Sequence, residues 1–246
     1  MSFTSEEKQV ECERCGELIE ITTLPGVEIK NIYCDSCYDV LEQEQRQEND
    51  LEAMLFIKEF RRERMDNYCS YAKDAGIPPR LHAAILDNIV VDNGNREAVE
   101  AARSFIETPR DFLLLHGDTG RGKTWLASAI SRELIIRGAW VRFVAVSDMI
   151  ADLAESYRRD DSLDATFKKY KNVPVLMLDD LGVEKDTERS LEHVYNLIDH
   201  RYSWERGTVI TSNMAGDKIA ARYGTRIMSR IKTGKVVELK GKDRRL

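Results

Sequence analysis

Residues 117–124 read Gly-Asp-Thr-Gly-Arg-Gly-Lys-Thr, and the reading of this stretch decides the fold. It fits G-x-x-x-x-G-K-[ST], in which glycines let the backbone wrap an anion, a lysine supplies a point charge and a hydroxyl ligates a divalent cation. Its flanks fit as well. Asp111–His116 is an apolar run of strand length, and Trp125–Arg137 carries apolar residues at helical spacing with Gly138 placed to cap it. A strand, a loop and a helix N-terminus in this order aim backbone N–H groups at one point, which suits a polyphosphate. Gly117, Asp118, Thr119, Gly120, Arg121, Gly122, Lys123 and Thr124 are therefore the expected phosphate cradle. Lys123 would meet the β- and γ-oxygens and Thr124 a Mg²⁺ ion, so the chain is expected to bind a nucleoside triphosphate, most simply ATP.

Further along, Val173-Pro-Val-Leu-Met-Leu-Asp-Asp180 is a buried-strand run that ends in two carboxylates. The first acid at the end of such a strand holds Mg²⁺ and the next polarises the attacking water, which assigns Asp179 and Asp180. An Asp after a strand can instead cap the next helix, but Leu181-Gly182 opens no apolar-periodic helix. A third strand, Thr208–Asn213, ends in an amide, Asn213, placed to hold the nucleophilic water.

The 246 residues give room for one ordinary core and a small satellite, and 42% hydrophobic with 33% charged residues is the balance of a soluble globular protein. No apolar run reaches the length of a membrane span, and Met1–Glu7 lacks the parts of a signal peptide, so a cytoplasmic location is expected. Cys12-x2-Cys15 and Cys34-x2-Cys37, eighteen residues apart, have zinc-ribbon spacing, and a reducing compartment disfavours disulfides. So short a segment buries little core, so a structural zinc would supply its folding energy. Cys69 reads as a packed thiol.

Charge is divided unevenly. Residues 1–66 carry 8 Lys/Arg against 17 Asp/Glu, while residues 67–246 carry 29 against 26. An acidic metal module suits protein docking better than nucleic acid. Residues 216–246 hold 10 Lys/Arg against 3 Asp/Glu, a basic tail for nucleic acid or a neighbour's nucleotide, or a solvated face. Between the cysteines and the phosphate loop, residues 38–74 read as one long helix, either a partner-binding linker or a helix packed on its own domain, stopped by Gly76-Ile-Pro-Pro79. The expected order then runs helix 95–108, strand 111–116, helix 125–137, strand 140–146, a helical pair 147–171, strand 173–178, helix 188–204 and strand 208–211. Such alternation predicts a three-layer α/β/α sandwich on a largely parallel sheet. The strand at 140–146 is expected to set the phosphate-loop strand and the Asp179 strand apart, with a crevice between their ends.

Taken together, Gly76-Ile-Pro-Pro-Arg80, the run from His116 to Ile130, Leu176–Gly182, Thr211-Ser-Asn213 and Arg226-Ile-Met-Ser-Arg-Ile231 resemble the AAA+ ATPases of the DnaC/DnaI replicative helicase loaders, close to the transposition helper IstB. The resemblance covers roughly residues 75–246. It implies a P-loop ATPase domain with a reduced helical lid, in keeping with the 15 residues after Ile231, and a division into a zinc-ribbon module (1–40), a helical linker (41–75) and the ATPase (76–246). It also implies that Arg230 reaches the γ-phosphate of an adjacent subunit, with Arg226 one helical turn before it, and that Arg244 is a sensor arginine near its own subunit's phosphates. The helical pair would line a channel for single-stranded DNA, with Tyr157, Arg158 and Arg189 as contacts. Partners would be the replicative helicase, docked on the N-terminal module, single-stranded DNA, and further copies in a ring or spiral, with no membrane. Asp180 stands where most AAA+ proteins have Glu, which implies slow hydrolysis in need of DNA or partner. The alternatives are a transposition helper that coats target DNA and a nucleotide-controlled adaptor with negligible turnover.

Overall fold

The structure, a computed structural model, describes residues 6–23, 31–158 and 163–243. The chain forms two units, Met1–Phe60 and Arg61–Leu246.

The first unit has a two-stranded antiparallel hairpin, β1 (Glu6–Glu11) and β2 (Leu18–Thr23), with Val10 opposite Ile19. No strand is expected here from the sequence: β1 is mostly polar, and β2, Leu-Ile-Glu-Ile-Thr-Thr, is short. The turn between them is closed by Cys12 N–H to Glu17 O at 2.8 Å and Gly16 N–H to Cys12 O at 2.9 Å. Helix α1 (Asp35–Asp66) follows and has no buried residue. Its Glu44 takes a two-pronged hydrogen bond from Arg14, both at 2.8 Å. The unit boundary falls within α1.

The long helix expected over 38–74 is broken at Asn67, beyond which α2 (Tyr68–Ala75) begins. Asn67 keeps its helical N–H bond to Glu63 O at 3.0 Å and adds a side-chain bond to the same oxygen at 3.1 Å, so the break is not forced locally. Tyr68, Ala72 and Ala75 are buried, which a straight extension of the exposed α1 need not achieve. Gly76 ends α2 at φ 85°, and a Cβ there would lie 2.6 Å from Phe143 O, so only glycine fits.

The rest of the second unit is α3 (Arg96–Glu107), β3 (Phe112–His116), α4 (Lys123–Ile136), β4 (Val141–Ala145), α5 (Val146–Arg158), α6 (Leu163–Lys171), β5 (Val175–Leu181), α7 (Glu188–Ser203), β6 (Thr208–Ser212), α8 (Gly216–Tyr223), α9 (Thr225–Ile231) and β7 (Lys235–Glu238). The five strands form one parallel sheet in the order β4-β5-β6-β3-β7. Leu113 to Leu115 and Leu176 to Leu178 are buried without alternation, as strands covered on both faces require. One apolar core joins the sheet to α2, α3 and α4; a second joins its other face to α5 and α7 to α9. The three-layer α/β/α expectation is met.

One detail differs. β3 and β5 do stand apart, but β6 separates them and β4 lies at the sheet edge. Order along the chain does not give order in the sheet, because right-handed crossovers can carry a strand past its predecessor. The swap brings the Asn213 strand between the phosphate loop and the two aspartates. Within the second core layer, Arg201 is fully buried and donates to the carbonyls of Tyr170, Lys171, Val173, Pro174 and Gly207 and to Thr208 Oγ1. Burial brings its pKa down to about 9, with Arg206 adding to the shift.

Candidate nucleotide site and cysteine cluster

The phosphate loop joins the end of β3 to the start of α4. Gly117 sits at φ 134° with its Cβ position 2.3 Å from Leu239 O, and Gly122 caps α4 at φ 90°. Both positions exclude an ordinary side chain. The Lys123 ammonium is almost buried and donates to Gly117 O at 2.7 Å, Asp118 O at 2.8 Å and Asn213 Oδ1 at 2.7 Å. Thr124 Oγ1 donates to Asp179 Oδ1 at 2.9 Å, and Thr211 Oγ1 donates to the same oxygen at 2.5 Å. Burial raises the Asp179 pKa; the Asp180 charge adds to this, while the two hydroxyls and Lys123 oppose it. Asp180 has a left-handed backbone, φ 55°, at an irregularity in the β5–β6 register, and its N–H donates to Thr211 Oγ1 at 2.9 Å. A non-glycine residue held there costs energy, and such positions cluster at functional sites. The Thr124 hydroxyl and the Asp179 carboxylate are a hard-oxygen pair at a separation that suits Mg²⁺.

Lys123, Thr124, Asp179, Asp180 and Asn213 line a cavity of about 660 Å³. Leu81, Ile89, Val90, Val99 and Leu239 give it an apolar wall, and Arg80 lines it as well. Asn95 fixes this wall: its Oδ1 accepts from Asp92 N–H at 2.7 Å and its Nδ2 donates to Val90 O at 3.0 Å. The sequence reading assigned none of these residues to the site: Val99 lies on α3, Arg80 and Leu81 lie in the short helical turn Pro79–Leu81, and the others lie in irregular segments. The chain after β7 closes the cavity, with Leu239 N–H to His116 O at 2.7 Å and Lys240 N–H to Gly94 O at 2.8 Å. Arg121 donates to Gly241 O, and a Cβ on Gly120 would meet the Asp243 carboxylate. Arg244 lies outside the described residues.

The other arginines are elsewhere. Arg230, on α9, pairs with Asp199 of α7, and its guanidinium lies 5.4 Å and 5.6 Å from the ring centroids of Tyr195 and Tyr202. It does not line its own chain's cavity, whereas Arg226 is exposed. Arg189, on α7, stacks its guanidinium 4.9 Å from the centroid of the exposed Tyr157 ring of α5. The Arg158 side chain is outside the described residues.

In the first unit, Cys12, Cys15, Cys34 and Cys37 bring their sulfurs within 4.8 Å of one another. The two cysteine turns are fastened by Glu13, whose N–H donates to Ile32 O at 2.9 Å and whose carboxylate accepts from Asn31 N–H at 2.9 Å. Backbone N–H groups, Cys34's first, hold the Cys12 thiol down to about 6, while the Cys15 thiol is the main cause that pushes Cys37 up to about 12. Four thiols this close cannot all ionise unaided, and a divalent cation removes the conflict. The donor set fits tetrahedral zinc.

Comparison with known proteins agrees with this geometry. The chromosomal replication initiator DnaA of Mycoplasma genitalium is 30% identical over 62% of this chain, which spans 36% of that relative's length. The replicative helicase loader DnaC of Escherichia coli strain K12 is 27% identical over 65% of this chain and 67% of its own. The crystal structure of DnaI is 29% identical, with a TM-score of 0.60 over 68% of this chain and 93% of that one. The family model of the IstB-like ATP-binding proteins matches residues 42–245, and the chain belongs to that AAA+ family.

Proposed function

We propose that this chain is an ATP-dependent loader of a replicative helicase, dividing its work among an N-terminal zinc module (1–40), a linker helix (41–75) and an ATPase (76–246). The observation that carries the ATPase reading is the convergence of Lys123, Thr124, Asp179, Asp180 and Asn213 on one cavity. In this reading Lys123 leaves the loop carbonyls for the β- and γ-phosphate oxygens, since charge-assisted bonds to phosphate are the stronger ones. Thr124 and Asp179 would hold Mg²⁺, which would supply neutralisation of the phosphate charge. Asp180 accepts a proton from the attacking water, Asn213 orients that water, and the apolar wall takes the base. Asp180 is one methylene shorter than Glu, so turnover is slow and rises with DNA or partner. Arg244 lies outside the described residues, and its assignment to the same phosphates rests on the family resemblance alone. Arg230 does not line its own chain's cavity and rests against Asp199, which supports service to an adjacent copy's site in a ring or spiral.

Single-stranded DNA is the partner we assign to the Tyr157–Arg189 surface, where a ring and a cation can stack a base and meet a phosphate. The acidic first unit is assigned to the helicase, and this charge favours the loader over the transposition helper, whose coating of duplex DNA wants a basic surface. Two variants test the scheme. Lys123→Ala should weaken ATP binding about 10–150-fold, the worth of one charged hydrogen bond, and unchanged affinity in a titration would refute the site. Arg230→Ala should bind ATP nearly normally and lose stimulated hydrolysis by about 10³–10⁵. Mixing the two should restore partial activity; no restoration in co-assembled mixtures rules out an arginine acting across subunits. Co-purification with a transposase in place of the replicative helicase would turn the reading to the transposition helper.

A further inference from the structure

Beyond the phosphate site lies a buried ionic cluster that neither the motifs nor the catalytic scheme uses. Two residues after Asp180, Gly182 (φ 104°) has both backbone groups taken by side chains. Its N–H donates to Glu184 Oε2 at 3.0 Å, and its carbonyl accepts from Arg222 Nη1 at 3.0 Å. Glu184 is buried, and its other oxygen accepts from Arg222 Nη2 at 3.1 Å and from the Tyr223 hydroxyl. Arg222 Nη2 also donates to Glu184 O at 2.7 Å. Ser212 Oγ donates to Leu181 O at 2.6 Å and accepts Met214 N–H at 3.0 Å, so the turn is held from β6 as well. A Cβ at Gly182 would sit 2.4 Å from Met214 Sδ.

Arg222 and Tyr223 end α8, and only Gly224 separates them from α9, which carries Arg226 and Arg230. Ile219, Tyr223, Ile227, Met228 and Ile231 share one core with α7, so α8 and α9 are anchored together. Arg222 Nε and Arg230 Nη1 are both buried without a hydrogen-bond partner among the described residues. Orphaned donors of this kind cost energy in the present arrangement and lower the cost of leaving it.

We propose that Glu184 and Arg222 are positioning residues that latch the Asp180 turn to α8 and α9, so that the state of a protomer's own nucleotide site sets where it holds the arginines it offers to the next. The inference rests on the nucleotide reading of the Lys123–Asp180 site. A change at Asp180 on nucleotide binding reaches Gly182 within two residues, and Gly182 can move only with Glu184 and Arg222. Backbone from Asp180 to Gly182, hydrogen bonds from Gly182 through Glu184 to Arg222, and the packed core of α8 and α9 form a contiguous connection between the two sites, the physical form that coupling takes.

Hydrogen–deuterium exchange on the full chain tests the latch directly, with a non-hydrolysable ATP analogue and Mg²⁺ as the probe. In the unaltered chain, exchange should change both at 117–124 and at 216–231. In Glu184→Gln, which keeps the shape and removes the charge, the change at 117–124 should persist and the change at 216–231 should be lost. Arg222→Lys keeps the charge and removes the fork; it should give the same loss and serves if Glu184→Gln does not fold. A role limited to stability would lower the melting temperature of both variants and leave the response at 216–231 intact, which overturns the latch. A response at 117–124 with none at 216–231 in the unaltered chain also overturns it. No response at 117–124 in the unaltered chain overturns the nucleotide reading with it.

Discussion

Strand β5 and the middle of α1 are built from similar side chains. Leu176, Met177 and Leu178 are fully buried in β5, while Leu51, Met54, Leu55, Phe56, Ile57 and Phe60 of α1 are all exposed. Removing a Leu or Met side chain from water contributes roughly 1.5–3 kcal/mol, and β5 gains this because β4 and β6 flank it and a helical layer covers each face. Helix α1 has no buried residue to gain it. Apolar content is therefore no measure of a core; neighbours are. The described residues of the first unit are held by a hairpin, a few ion pairs and four cysteines, so their stability must come from another source than burial.

Three changes break or sharpen this contrast. The largest effect is expected on the cysteine cluster. One zinc per chain should be found, and its removal by a chelator or by Cys34→Ala should unfold residues 10–40 and leave the second unit's exchange protection intact. Structural zinc contributes about 10–16 kcal/mol in comparable small modules. Absence of zinc by elemental analysis, or a mapped disulfide among the four cysteines, would refute this. Second comes Arg201→Met in the well-packed unit. It removes a cation that donates to five carbonyls and a hydroxyl, and urea denaturation should show a loss of about 3 kcal/mol or more, since buried acceptors left unsatisfied cost about 1–3 kcal/mol each. A loss under about 1 kcal/mol, the net worth of one ordinary hydrogen bond, would mean the hub is dispensable.

The smallest effect has the opposite sign. Burial raises the Asp179 pKa above its ordinary value of 3.8, so folding favours the protonated form. The stability this group contributes is present below that value and is lost as pH rises through the raised folded pKa. Asp179→Asn should therefore slightly stabilise the nucleotide-free protein at neutral pH while abolishing hydrolysis, a trade common at functional sites. A lowered melting temperature at neutral pH would show that Asp179 supports the fold and is not held there at its expense.

Much of the site was readable because its chemistry is contiguous. Residues 117–124 carry their own glycines, lysine and hydroxyl, and Asp179 and Asp180 end an apolar run long enough to declare a strand. The four cysteines declare themselves by spacing, and they do come together. The cavity's apolar wall was not readable. Leu81, Ile89, Val90, Val99 and Leu239 share no motif, and even Val99, on the periodic face of α3, carries no sign of a ligand; they meet in the folded chain, where β7 pairs with the phosphate-loop strand. The break at Asn67 was hidden for the same kind of reason: nothing local forbids a helix there, and the burial of Tyr68, Ala72 and Ala75 decides it.

The phosphate loop, the acidic strand end, the alternation of strands and helices and the cysteine pairs are legible in the amino-acid order, since each depends on residues within a few positions of one another. That β6 lies between β3 and β5, that Arg230 rests against Asp199, Tyr195 and Tyr202, and that Glu184 meets Arg222 across 38 residues of chain emerges only on folding. Such contacts join segments whose separate sequences are compatible with many partners. The choice among them is made by the packing of the whole core, where one arrangement fills the space and pairs the buried polar groups better than its competitors.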